Sequence, residues 1–169
     1  MDGEDLAADL KKGEALCKAF AETYKGQIAQ LAKDAPENLV KALVDYEQIE
    51  DLLGRIISYA GLVYSGDTTD AQRAKFYGDI QEKITNASTQ LLFFGLELNK
   101  IEDADFSQLL KSEAVAHYLP WLEDLRKDKP YQLEDRVEEL FHEKSITGRG
   151  AWNRLFDETM ASLRFDIDG

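Results

Sequence analysis

Basic residues, histidine, cysteine and proline are all scarce in this sequence, and each scarcity removes a class of function. Twenty lysines and arginines face 33 aspartates and glutamates, a formal net charge of -13 over 169 residues. Binding to phosphate backbones needs clustered cations that release counterions, so neither nucleic acid nor an anionic membrane is an expected partner. The single cysteine, Cys17, permits no internal disulfide and suits a reducing, cytoplasmic location. The sequon Asn86-Ala-Ser88 is then read as chance. Two histidines, His117 and His142, leave little for histidine-based metal or acid–base sites. No run approaches the roughly 18 consecutive apolar residues of a membrane span, and the acidic opening MDGEDLAADL has no apolar run like that of a signal peptide. Only three prolines accompany 44% hydrophobic content, which fits one globular helical domain over residues 1–169.

What is present is a helical rhythm. Leu6, Leu10, Gly13, Cys17, Phe20, Tyr24, Ile28 and Leu31 alternate steps of three and four, which predicts one long helix ending before Pro36. Pro36 fits the first turn of a second helix, running to about Tyr64. Gly54 and Gly61 within it predict close helix approach. Thr69 and Gln72 predict a capping box for a third helix through Tyr77, Ile80, Ile84, Ala87, Leu91, Phe94 and Leu98. The expected fold is therefore all-α, an antiparallel bundle of three long helices followed by several shorter ones. Asp103 or Asp105 is the expected cap of a helix through Leu110, Ser112 of another through Tyr118, and Pro120 starts a third. Leu133, Val137, Leu140 and Phe141 form one helix face, Thr147-Gly-Arg-Gly breaks it, and a last helix carries Trp152, Leu155, Phe156 and Met160. The closing LRFDIDG alternates with period two, which predicts a strand over Leu163 to Asp168. Asp168-Gly169 favours a hairpin turn with no returning arm. The strand thus reads as half of a truncated hairpin, and the chain as a piece of something longer.

Candidate chemistry is thin. In FHEKSITGRGAW, His142 and Glu143 begin the zinc-protease pattern H-E-x-x-H, but position 146 is Ile146 and isoleucine offers no ligand. Glu139 and His142 spell the E-x-x-H of di-iron bundles, which needs a second such motif. His117 has its nearest upstream acid, Glu113, four residues away instead of three. Cys17 has no basic neighbour to activate it and reads as a core residue. The serines show no nucleophile-elbow pattern, and ITGRGA lacks the phosphate-cradling lysine, so Arg149 reads as part of a plain turn. The acidic run Glu47 to Asp51 reads as a solvated helix face. No catalytic, cofactor-binding or metal-binding residue is assigned.

Two stretches carry a family resemblance: YEQIEDLLGRIISYAGLVYSGDTTDAQRAKFYGDIQEKITNASTQLLFFGLELNKI and LPWLEDLRKDKPYQLEDRVEELFHEKSITGRGAWNRLFDETMASLRFDIDG. With the tyrosine-rich second helix, the phrase DTTD and the AWNRLFDE run, the chain is similar from about residue 4 to 169 to the N-terminal helical region of the oligoendopeptidase F family. These are zinc metallopeptidases related to thimet oligopeptidase. Glu134 departs from the pattern, where a serine cap is expected. The resemblance implies that zinc and its H-E-x-x-H lie in a C-terminal catalytic domain absent from this chain, which would be inactive alone. It further implies a parent enzyme that cleaves short peptides in a closed cavity partly walled by these helices. Tyr46, Tyr59, Tyr64 and Tyr77 are then candidates for lining that cavity. The competing reading is a stand-alone helical interaction module without enzymatic activity.

Overall fold

The structure, a computed structural model, describes residues 3–164, and all regular structure among them is helical. The first expected helix is two: α1, Gly3–Tyr24, and α2, Ile28–Asp34. Gly26 divides them with φ 80°, a left-handed conformation open to glycine at little cost. The Glu97 carboxylate accepts from the Gly26 amide at 2.8 Å and lies 3.5 Å from that of Ile28, so the start of α2 is held by a distant side chain. The apolar spacing survives the break because Ile28 is still fully buried.

Pro36 does open the next helix, α3, Pro36–Ser65, which runs unbroken for 30 residues. One side of α3 carries Leu39, Leu43, Ile49 and Leu53 into a core shared with Cys17, Phe20 and Tyr24 of α1. Leu52, Ile56 and Ala60 form a smaller cluster with Leu6 and Ile80. The close approach expected at Gly54 and Gly61 is found elsewhere. A Cβ on Gly54 would meet no atom within 4 Å, and one on Gly61 only the Tyr77 ring at 3.8 Å, whereas one on Gly13 would lie 2.9 Å from Leu53 Cδ2.

The third expected helix is also divided, into α4, Ala71–Ser88, and α5, Leu92–Lys100, by a 3-10 turn over Thr89–Leu91. Both Ser88 and Thr89 hydroxyls donate back to the Thr85 carbonyl, at 3.3 and 2.8 Å, and such back-bonding bends helices. The bend delivers Phe93 as well as Phe94 to the core. Asp70, not Thr69, caps α4, accepting from the Gln72 and Arg73 amides at 2.8 and 3.3 Å; Thr69 is bonded to Asp67 instead. Thus α1, α3 and α4 pack on one another, but the expected bundle of three long unbroken helices is not found, because the first and third are each divided and only the second, α3, runs as one piece.

Shorter pieces follow: α6, Asp103–Leu109, a 3-10 segment Glu113–Tyr118, α7, Leu119–Arg126, and a 3-10 turn Lys129–Tyr131. Ser112 caps its segment as expected, accepting from the Ala114 amide at 3.3 Å. Neither Asp103 nor Asp105 caps α6, whose N-cap is Glu102 without a side-chain bond. Asp103 is occupied by Arg126 and Lys129, at 2.6 and 2.7 Å. Arg126 also donates to the carbonyls of Leu98, Asn99 and Ile101, closing the end of α5.

The chain ends its described part with α8, Asp135–Lys144, a π-type turn over Ile146–Gly150 kinked at Gly148, and α9, Ala151–Ser162. Glu134 is the N-cap of α8 and makes no side-chain cap bond, but Glu138 accepts from the Leu133 amide at 2.8 Å. Neither α8 nor α9 contains a buried residue. Of the strand expected over Leu163 to Asp168, only Leu163 and Arg164 are described. Leu163 is extended (φ -62°, ψ 139°), yet its amide turns back to the Met160 carbonyl, and no strand exists among the described residues. Positions 165–169 lie outside them.

Candidate functional site

A cleft of about 640 Å³ opens between α3, α5 and α8. Helical spacing assembles it. Tyr46, Glu50, Gly54 and Ile57 form one stripe of α3, Leu92, Gly95 and Asn99 one stripe of α5, and Glu138 and His142 stand one turn apart on α8. Ser88, at the end of α4, ties the far wall in place, its Oγ 3.0 Å from His142 Nε2.

Polar groups in this cleft are unevenly satisfied. Asn99 is only 5% exposed. Its Nδ2 donates to the Leu125 carbonyl at 3.2 Å, which fixes the amide's orientation, while Oδ1 is buried with no partner. Gln132 repeats the arrangement, with Nε2 donating to the Leu96 carbonyl at 3.3 Å and Oε1 buried and unpaired. Leaving a buried acceptor unmade is costly, so two such oxygens lining one cleft set it apart from the rest of the surface. Glu50 has neither a hydrogen bond nor an ion pair among the described residues. Although Glu50 is exposed, desolvation by the cleft walls raises its carboxyl pKa, and His142 opposes the shift. Asp128 and Glu138 add two more carboxylates, and no lysine or arginine lines the cleft.

Of the tyrosines singled out from the sequence, Tyr46 reaches this cleft. Its ring packs 4.9 Å from Phe94 and 6.0 Å from Phe20, and burial with Glu50 nearby pushes its hydroxyl up to about 12. The other three lie further along α3 and α4, outside the cleft lining. Tyr64 is buried and stacks on Tyr77 at 5.2 Å, and Tyr59 meets the Phe76 ring edge-on at 6.4 Å. The two histidines are not brought together: His142 faces Ser88, and His117 sits against Tyr118 beside a second hollow. Glu139 lies beside Arg136. Among the described residues no three His, Cys, Asp or Glu side chains are grouped to hold a metal. The described residues therefore do not fit a zinc site. Cys17 is fully buried in the core, and burial pushes its thiol up to about 11, which suppresses the thiolate.

Sequence reasoning missed the acceptors. Asn99 stands near the end of the helix LFFGLELNK, on one stripe with Leu92 and Gly95, and an uncharged amide on that stripe is the signal that could have drawn attention to it. Glu50 was hidden in the acidic run Glu47 to Asp51, and its difference from its neighbours is purely tertiary.

Fold and cleft together define a helical domain with an acidic, partly apolar groove and no assembled catalytic group among its described residues. Comparison with known proteins narrows the class. A family model described as oligopeptidase F matches residues 97–165. Oligopeptidase PepF of Bacillus subtilis (strain 168) is 28% identical over 127 residues, which is 72% of this chain and 18% of that protein. No solved structure matches. Both matches support an oligoendopeptidase F N-terminal domain, the resemblance read from the sequence. The chain spans only 18% of the length of the curated relative it matches.

Proposed function

We propose that this chain is the non-catalytic N-terminal domain of a longer, cytoplasmic oligoendopeptidase F-like peptidase acting on short peptides, and that it helps wall the substrate cavity. The zinc and its ligands belong to a catalytic domain outside these residues. One observation carries the reading: the segment matched by the family model, 97–165, bears an uncovered apolar face. Trp152 is 72% exposed, Phe156 64% and Phe141 63%, with Leu140, Leu155 and Met160 about half exposed beside them in sequence. Large exposed apolar patches mark interaction surfaces, and a catalytic domain is the partner that the family supplies. Among the described residues, no helix is long and apolar enough to cross a membrane, so a bilayer-spanning role has no support in α9.

The test is the transcript. Sequencing beyond the codon for Gly169 is expected to show an open frame that continues into H-E-x-x-H. A stop codon at that point would sink the proposal and leave the interaction module.

A further inference from the structure

We propose that the cleft between α3, α5 and α8 is a binding site for the basic side chain of a short peptide, arginine or lysine, with its apolar stem along the floor and its charged head among the acceptors. The proposal deepens the peptidase reading by naming a substrate feature, but it concerns residues of this chain alone.

Three independent features of the cleft point to this ligand. The first is chemical. Glu50, Asp128 and Glu138 line the cleft with no lysine or arginine to neutralise them, and the Glu50 carboxylate has no hydrogen-bond or ion-pair partner among the described residues. The second is the buried, correctly oriented Asn99, whose Oδ1 accepts from nothing. A group rich in N–H donors meets both needs, and a hydroxyl or carboxylate ligand meets neither well. The third is Gly54. A glycine inside a helix is destabilising, and here no neighbour packs into the space a Cβ would take. That space belongs to the cleft, so what the missing side chain preserves is room. The floor around it, Leu53, Ile57 and Leu92, is apolar and suits the methylene stem that carries a cationic head.

The experiment uses the 169-residue chain and three capped peptides that differ at one position, acetyl-Leu-Arg-Leu-amide and its Gln and Glu counterparts. Binding is followed by amide NMR at Gly54 and Gly95, both of which line the cleft. The Arg peptide is expected to shift both signals and to bind at least about tenfold more tightly than the Gln peptide, the scale of one charged hydrogen bond. The Glu peptide should not bind. Glu50→Gln should remove most of the difference between Arg and Gln. Gly54→Leu, which fills the groove without removing a contact, should abolish binding while circular dichroism stays unchanged. Equal affinity for all three peptides, no shift at millimolar Arg peptide, or binding that survives both variants would overturn the proposal. None of these results depends on whether the gene continues beyond Gly169, so the failure of one reading is separable from that of the other.

Discussion

Two glycines of the first and third helices show how much a single position depends on its surroundings. A Cβ at Gly13 would lie 2.9 Å from Leu53 Cδ2, inside a packed core, and one at Gly54 would stand in open space. Gly54→Ala should therefore stabilise the chain by about 0.5–1 kcal/mol through helix propensity alone. Gly13→Ala gains the same propensity but overpacks Leu53, at a cost of about 1–3 kcal/mol, so it should be neutral or destabilising. Urea unfolding of both variants decides it, and equal gains would mean that α1 sits further from α3 than described. Glu50 offers a second residue-scale test. Desolvation raises its folded pKa above the unfolded value, so the ionised form costs stability in full above the folded pKa, and the cost shrinks as pH falls and is gone below the unfolded pKa. Glu50→Gln should raise Tm at pH 7 and leave it unchanged near pH 3. An equal rise at both values would show that the effect is not electrostatic. The sequence could not show this: Glu47 and Glu50 stand in the same acidic run, yet Glu47 accepts from the Tyr118 hydroxyl at 2.7 Å while Glu50 faces the cleft unpaired.

At the scale of elements, apolar periodicity located helical segments better than it located their breaks. It carried through Gly26 because Ile28 remains buried, and through Thr89–Leu91 because Leu91 and Phe94 remain buried. The breaks arise from a left-handed glycine and from hydroxyl back-bonding, local features that leave the pattern of threes and fours intact. Pro36 and Ser112 were legible because each acts on its own helix start. The third helix was capped by Asp70 instead of Thr69, because the residue directly before Ala71 has the shorter reach to the free amides of the first turn. In α8 and α9 the pattern was real but burial did not follow. The triple change Phe141→Gln, Trp152→Gln, Phe156→Gln should shift the unfolding free energy of this chain by no more than about 1.5 kcal/mol, since exposed substitutions lie within about 0.5 kcal/mol each. In a longer peptidase the same change should lower Tm or activity, because there the face would be covered. Urea unfolding of the short chain and differential scanning calorimetry of the long one make the comparison. A large loss in the short chain would mean that α8 and α9 are already buried within it.

Across the whole molecule, the segment matched by the family model overlaps the core at one end and leaves it at the other. The main core draws on α1 through α7, from Cys17 and Phe20 to Val115 and Leu122. The family-model match begins at residue 97, takes in core residues from Leu98 to Leu122 and continues over α8 and α9, which contain no fully buried residue. The match to oligopeptidase PepF covers 72% of the chain and so reaches back into α3. What sets α8 and α9 apart is that their apolar side chains are mostly exposed, while most of those of α1 through α7 fill the core. The described links between the core and α8 are few. His142 bonds Ser88 at 3.0 Å, and Lys100 pairs with Asp135 across 2.6 Å with both side chains about half exposed. A hydrogen bond of this kind is worth roughly 0.5–1.5 kcal/mol, and an exposed ion pair at most about 1 kcal/mol. A chain ending at Gln132 should therefore still unfold cooperatively in urea, with stability lower by about 0.5–2.5 kcal/mol. It should also lose peptide binding in the cleft, because Glu138 and His142 form its outer wall. Retention of Arg-peptide affinity in the shortened chain would move the site to α3 and α5 alone. A broad, non-cooperative transition would show instead that α8 and α9 belong to the folding unit, and that their exposed side chains conceal a structural role.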